Sequence, residues 1–556
     1  MFFLSLLLAT PLGYLKTLDT GELEGRKEAL YKQKGSAVLR WKKLCNSVCF
    51  YTRRIKIVPS PATYNHQDEL YLCVSPDTGP RRCSVSIGLR GFAGSSHIIG
   101  QYKKPWDAFA FLRKQFGDIY GLTLGSRHCV VISNMSLIKE VLVAKSHDFA
   151  NRPDFLRFHA IFRGDRNLSI ALCDWSEKQK TRREMAFPFM HPRVSTLDGS
   201  RMNVYIMSEL QELVSTLSQH QDQTLDSRTF LNITCANIFY QYICSKRFSD
   251  QDPNFLKTVQ IYDAVFRQLF QGFAIDFMPW LKVFNRQNLK ELKNLAENVS
   301  IVTESVVAEH DVNIDHDRPR DLVDIFLSYL KDNENNPESS LTREDVEVII
   351  EDLIGGHSVL GNLWLWGLYL MAANPEVKEN IRDEVARVTG GVRAPSMEDR
   401  KNMPYTEAAT LELLRVVASP IIPHVATTDT SISGYKITKD TMVMFNTYDI
   451  NMDPQLWNEP RKFEPKRFLS SSGSVSKPDY FIPFGTGKRT CLGDGLVKAT
   501  LFLGLSTLLQ NFEISLPEGF PQPDLHDIPG LVVPRSEILL VFRRLQQQQH
   551  TAICMS

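Results

Sequence analysis

One stretch near the C-terminus constrains the fold more than any other: Pro483-Phe484-Gly485-Thr486-Gly487-Lys488-Arg489-Thr490-Cys491-Leu492-Gly493. A glycine-rich loop carrying one cysteine runs into an apolar segment, Leu492 to Leu509, whose pattern predicts a helix. Gly485 and Gly487 let the backbone turn tightly and come close to a flat ligand. Cys491 is expected at the N-terminus of that helix, where unpaired N–H groups and the helix dipole favour the thiolate. Arg489 is expected to aim its guanidinium at a carboxylate on the same ligand.

A thiolate, a cation and a backbone cradle on one loop suit a haem held through sulfur. The spacing F-x-x-G-x-R-x-C-x-G is filled by Phe484, Gly487, Arg489, Cys491 and Gly493, and it resembles the haem-binding signature of the cytochrome P450 family. A structural cysteine after a glycine turn is the plainer reading of a lone Gly-Cys-Gly; five filled positions with a helix behind them favour the haem. The resemblance implies a mainly α fold with small β-sheets (α+β). In that fold haem b lies between a long central helix and the cysteine-loop helix, and Cys491 is the axial ligand to iron.

The resemblance covers residues 97–545, taken as the catalytic domain. Residues 1–15 form a short apolar segment, interrupted at Pro11 and too short for the ~20 apolar residues of a spanning helix; they read as a membrane anchor or a signal-peptide core. Residues 16–96 are basic, lack a sustained period and contain four of the ten cysteines, in keeping with an atypical extension or a wrongly assembled first exon. Only Ile98-Ile99-Gly100-Gln101-Tyr102 matches what usually precedes the domain. A polar tail spans 546–556. The cysteines include no CxxC pair, which excludes a zinc framework and fits a reducing compartment, and a net charge of +1 gives no pull toward nucleic acid.

Within the domain, a helix is expected over Trp106 to Phe116, then strands over Ile119 to Leu124 and Cys129 to Ser133 joined at Gly125-Ser126-Arg127-His128. Asp174-Trp175-Ser176-Glu177 opens a helix bearing Lys178, Lys180, Arg182 and Arg183. The family commonly has W-x-x-x-R here, with both residues on a haem propionate. This chain has Gln179 in the arginine's place, and Arg182, two turns along, is expected to share a propionate with Trp175 unless the face is simply solvated. Phe266, Phe270, Phe273, Phe277 and Trp280 roof an apolar pocket or fill core.

A long helix is expected from Thr342, capped through Asp345, to Asn374 before Pro375. Its middle, Gly355-Gly356-His357-Ser358-Val359-Leu360-Gly361-Asn362, resembles the helix that crosses the distal haem face in the family. There a small residue, Gly, any residue, an acid and Thr relay protons for oxygen chemistry. Ser358 stands for the acid and Val359 for the threonine, so protons are expected to pass through His357, Ser358, Asn362, water or a substrate hydroxyl beside Gly356, or the relay is not needed.

Glu412 and Arg415 lie at i, i+3 on a helix expected over Pro404 to Ala418. Downstream, Phe463-Glu464-Pro465-Lys466-Arg467-Phe468 resembles the family's F-x-P-x-R-F segment, which implies a buried network of Glu412, Arg415 and Arg467. His424 matches a position that often bonds a propionate. Strands follow over Ser431 to Ile437 and Thr441 to Asn446, with Gly434 and Lys439-Asp440 as turn material, then over Phe512 to Leu516 and Glu537 to Phe542, and Pro529-Gly530-Leu531-Val532 is expected to turn into the distal pocket.

The resemblance thus implies a haem-thiolate monooxygenase using dioxygen and electrons from an NADPH-cytochrome reductase. The reductase is expected to dock on Lys488, Lys498 and the basic cluster from Lys178 to Arg183. Asp494-Gly495-Leu496-Val497 after the cysteine favours the cytosolic face of the endoplasmic reticulum membrane over the mitochondrion. The Gly355-to-Asn362 and cysteine-loop motifs resemble the arthropod Halloween-group enzymes, which implies a sterol substrate at an early step of ecdysteroid synthesis. The alternatives are a haem-thiolate isomerase or dehydratase needing no reductase, and a non-catalytic haem or sterol-binding protein.

Overall fold

The computed structural model describes residues 82–83, 105–270, 274–336, 341–417, 420–525, 533–534 and 536–545. The expectations for 1–15, for 16–96 apart from Arg82 and Cys83, for the segment ending at Tyr102, for 529–532 and for 546–556 lie outside these residues.

Helix dominates, as the repeated i, i+3, i+4 apolar spacing requires. The longer helices are α1 Pro105–Phe116, α2 Glu177–Met190, α3 Leu197–Gln219, α4 Arg228–Cys244, α5 Pro253–Phe270, α6 Arg286–Asn313, α7 Leu322–Asp332, α8 Arg343–Ala373, α9 Pro375–Thr389, α10 Pro404–Val417 and α11 Asp494–Asn511. The strands are β1 Arg82–Cys83, β2 Ile119–Leu124, β3 Arg127–Ile132, β4 Thr224–Asp226, β5 His424–Val425, β6 Thr430–Ile432, β7 Tyr435–Ile437, β8 Met442–Phe445, β9 Phe512–Ser515 and β10 Leu539–Arg544. One sheet runs β1-β2-β3-β8-β5, a second β4-β10-β9, and β6-β7 is a hairpin. This is the expected α+β architecture.

Helix α8 organises the interior. Thr342 caps it, with its hydroxyl and amide both bonded to Asp345, and Pro375 stops it. A helix apolar on nearly every face belongs inside the protein, and α8 packs on α4, α10 and α11. At the α8/α11 crossing, Trp364 Nε1 donates to the Thr500 carbonyl at 3.2 Å. Gly504 makes this approach possible, since a Cβ there would lie 2.5 Å from the Trp364 ring.

The run Ser431–Ile437 turns at Gly434 as expected: Ser433 and Gly434 both adopt positive φ (48° and 80°) and fold it back as a hairpin. Two expectations need correction. The cysteine helix begins at Asp494, not Leu492, with Gly493 as its cap. The aromatic run is not one surface: Phe277 packs edge-on against Phe155 at 5.7 Å, Phe266 lies against Gly355, and Trp280 is 58% exposed.

Candidate active site

The cysteine loop is held by its own backbone. Gly485 and Gly487 adopt φ of 72° and 76°, which side chains rarely allow. Gly487 also presses on the Leu142 carbonyl so closely that a Cβ would collide with it. The Cys491 amide donates to the Phe484 carbonyl at 3.0 Å, closing the loop. Because α11 starts three residues after Cys491, the thiol lies outside the helix's first turn. Burial pushes its pKa up, Asp494 adds to the rise, and the Gly493 amide, Arg183 and Lys498 only moderate it. The expected helix-dipole thiolate is therefore not what the protein provides by itself; a metal ion bound at sulfur would remove the proton outright. Cys491 is nonetheless exposed. Desolvated by its surroundings yet exposed, the sulfur is open to a ligand.

Helix α8 shows the same signature. From Val348 to Met371 every residue is buried except Asp352, Gly356 and Val359. These stand at i, i+4 and i+7, one stripe of the helix. Gly356 and Val359 lie on this stripe. The other candidates on this helix do not. Ser358 Oγ and Asn362 Nδ2 donate to Asp263 Oδ1 of α5 at 3.0 and 2.8 Å, and His357 is fully buried with Nδ1 donating to the Ile354 carbonyl and its ring edge-on to Tyr262. All three are turned away from the accessible stripe, because the helix rotates about 100° per residue. The two glycines open no break in α8; Gly355 faces Tyr262 and Phe266, and Gly356 faces Phe239.

Beside the cysteine loop sits a group of largely buried cations. Arg152 donates to the carbonyls of Ala171, Ile422 and Pro423 at 3.2, 2.8 and 3.3 Å. Arg489 donates to the carbonyls of Cys173 and Ala171, and Arg183 to that of Thr490 beside the cysteine. His424 Nδ1 donates to the Phe149 carbonyl at 2.6 Å. It is buried, which rules out an exposed loop histidine. No ion pair to a carboxylate is formed by Arg152, Arg183 or Arg489 among the described residues. Burial, with Arg489 adding repulsion, pulls Arg152 well below its ordinary pKa and Arg183 to about 10. His424 is pulled down by burial and by Arg152 and Arg489 together. Buried like charges without counter-charges are costly, so this cluster is built for an anion.

A family profile for cytochrome P450 matches residues 92–542. The chain belongs to the cytochrome P450 family. It is 35% identical to cytochrome P450 307a1 of Drosophila melanogaster, over 76% of this chain and 82% of that protein. It is 29% identical to farnesoate epoxidase of Bombyx mori, over 85% and 94%, and 30% identical to steroid 17-alpha-hydroxylase/17,20 lyase of Squalus acanthias, over 77% and 85%.

Cytochrome P450s are haem-thiolate monooxygenases, and haem b supplies the activation of dioxygen when bound. The residues present fit that group: an accessible sulfur for iron, a glycine cradle that a Cβ would fill, and unpaired buried cations for two propionates. In this P450, Cys491 would hold the iron, and Arg152, Arg489 and His424 would receive the carboxylates. Arg152 escapes a sequence reading, since Asn151-Arg152-Pro153 looks only like a helix break; an arginine in an otherwise apolar turn was the one signal. Arg152→Gln is expected to increase the rate of haem loss to a scavenging globin about ten-fold or more, while the haem-free protein stays as stable or gains, because an uncompensated charge has gone.

The expectation for Arg182 is overturned. It is buried and bonds Asp345 and the Asn167 carbonyl. Trp175 precedes the helix, whose cap is Ser176, so counting two turns from Trp175 does not place the pair on one face. Trp175 instead lies under Lys488, with Nζ 5.1 Å from its ring centroid. The basic cluster also breaks up. Lys178 pairs with Asp345 at 2.6 Å, Arg182 and Arg183 turn inward, and only Lys180 stays half exposed. Lys498 pairs with Asp494, while Lys488 contacts His147.

The network of Glu412, Arg415 and Arg467 forms as expected. Arg415 Nε and Nη2 donate to the two Glu412 oxygens at 2.7 and 2.8 Å, and Arg467 Nε donates to Oε1 at 3.1 Å.

His357 carries a pH prediction. Burial lowers its pKa from 6.5 to about 4, and Nε2 has no partner. The unfolded chain takes up a proton below its own pKa that the folded one refuses. The stability present above pH 6.5 is therefore lost as pH falls through about 4, on the order of 3 kcal/mol in full. His357→Leu is expected to flatten this acid limb when thermal midpoints are compared between about pH 4 and pH 7.

Proposed function

We propose that this P450 oxidises a sterol at an early step of ecdysteroid synthesis. The observation that carries the reading is the Gly355-Gly356-His357-Ser358 motif followed by Gly361-Asn362, together with the cysteine loop, in a chain 35% identical to Drosophila cytochrome P450 307a1. Two further relatives are named for epoxidising farnesoate and for hydroxylating steroids, both apolar molecules. The accessible stripe suits such a substrate, since Gly356 and Val359 expose only hydrocarbon and backbone to it.

Electrons come from an NADPH-cytochrome P450 reductase docking on the cysteine side, where Lys488 and Lys180 are the cations with surface to offer. The protein works at the cytosolic face of the endoplasmic reticulum membrane; no described helix is long and apolar enough to cross a membrane. Product analysis of the haem-loaded protein with reductase, NADPH and a panel of sterols tests this. A hydroxylated or desaturated sterol dependent on NADPH supports it. Rearrangement of a sterol peroxide without NADPH would replace it by an isomerase, and binding of haem and sterol without any product would replace it by a carrier.

A further inference from the structure

Monooxygenation consumes one dioxygen, two electrons and two protons: one oxygen atom enters a C–H bond and the other leaves as water. On the accessible stripe of α8, Gly356 and Val359 carry no proton to give. We propose that this stripe faces the haem site and that Asp352 is its proton-donating residue, in place of the acid and alcohol that Ser358 and Val359 do not supply. This role rests on the monooxygenase chemistry and not on which substrate is bound.

Placement comes first. Asp352 lies one turn before Gly356 and shares the accessible stripe with it and Val359, while Ser358 and Asn362 are tied to Asp263 on another face. Its carboxyl is oriented: Oδ2 accepts from Ser169 Oγ at 2.6 Å and from the Ala171 amide at 3.2 Å. The Ala171 carbonyl in turn accepts from Arg152 and Arg489 at 3.2 and 3.4 Å. One short turn, 169–171, therefore connects the acid to the cations beside the cysteine loop. No basic side chain among the described residues forms an ion pair with Asp352. Arg182, whose charge lowers its pKa, is bonded to Asp345, and the adjacent Glu351 points instead to Arg163 at 2.7 Å.

Protonation state agrees with the placement. Burial pushes Asp352 up to about 6, with the Ser169 and Ala171 donors holding it from rising further. A carboxyl that titrates near neutrality is matched to giving and regaining a proton. In its acid form Asp352 gives one proton to the oxygen being reduced at the haem site. The carboxylate left behind is steadied by the Ser169 hydroxyl and the Ala171 amide, and takes a proton from solvent before the next delivery. Each delivery moves one proton and leaves the electron count to the reductase.

Asp352→Asn preserves the acceptor for Ser169 and Ala171 and removes only the acid. With haem-loaded protein, reductase and NADPH but no sterol, the fraction of consumed dioxygen released as peroxide is measured alongside its solvent deuterium dependence. The variant is expected to release about ten-fold more peroxide relative to water than the parent, with unchanged haem content. An infrared spectrum of the resting protein is expected to show a protonated carboxyl band that Asp352→Asn abolishes and Ser169→Ala retains. Unchanged partition between peroxide and water would overturn the proposal, as would absence of the infrared band. Loss of haem in step with the change in partition would assign Asp352 to holding the 169–171 turn alone. Since no sterol is present, failure here is separate from failure of the sterol assignment.

Discussion

Cys491→Ala is expected to leave a folded protein that has lost its haem-thiolate signature and its turnover. The sulfur is exposed, so removing it costs within about 0.5 kcal/mol of stability in the haem-free protein. The loop's own bond, from the amide of residue 491 to the Phe484 carbonyl, survives the change. The loss falls on the iron, which would lose its thiolate. Cys173, the thiol against Arg489, is buried. The carbon-monoxide spectrum of the reduced protein checks the ligand, and NADPH-driven product formation checks the consequence. A variant retaining the thiolate-shifted band would place the iron on another sulfur and dismantle the site described above.

Arg415→Ala is expected to prevent accumulation of haem-loaded protein. Arg415 and Glu412 are both wholly buried. Beyond its two bonds to Glu412, Arg415 Nη1 donates to the Asn451 carbonyl at 2.7 Å and Nη2 to that of Pro460 at 2.9 Å, with the guanidinium 5.3 Å from the Trp457 ring centroid. Truncation leaves the buried Glu412 carboxylate only the Arg467 guanidinium and the Glu464 amide, both on one oxygen, and strands two carbonyls, a loss of about 3–5 kcal/mol. Domains have only about 5–15 kcal/mol to lose. Lysine is no remedy, because a point charge cannot reproduce the two parallel bonds. Glu412→Gln with Arg415→Met is expected to lose less than the sum of the single changes, since the wholly buried pair is neutralised together and Arg467 keeps its bonds to the Asn458, Glu459 and Lys462 carbonyls. Yield of haem-loaded protein and urea unfolding of the haem-free form measure both arms.

Legibility followed distance along the chain. The helix from Pro404, the strand Ile119–Leu124 and the cap at Thr342 were readable because apolar period, turn residues and capping pairs act within a few residues. Glu412, Arg415 and Arg467 were readable through a resemblance, and their geometry agrees with it. Arg182 misled because a periodic count was carried across Ser176, where the helix has not begun. Arg152 went unnoticed because its meaning lies in Ile422, 270 residues away, and in a repulsion with Arg489 that no local pattern records.

The amino-acid sequence by itself determined the family, the cysteine that would meet the iron, and the helical core around it, since these depend on residue types at short fixed spacings. Only the tertiary structure decided which side of the central helix each polar residue faces. Ser358 is claimed by Asp263, 95 residues earlier, while Asp352 keeps its access to the interior. A rotation of about 100° per residue separates the two outcomes, and it is the packing of α5 and the 169–171 turn against α8 that chooses between them.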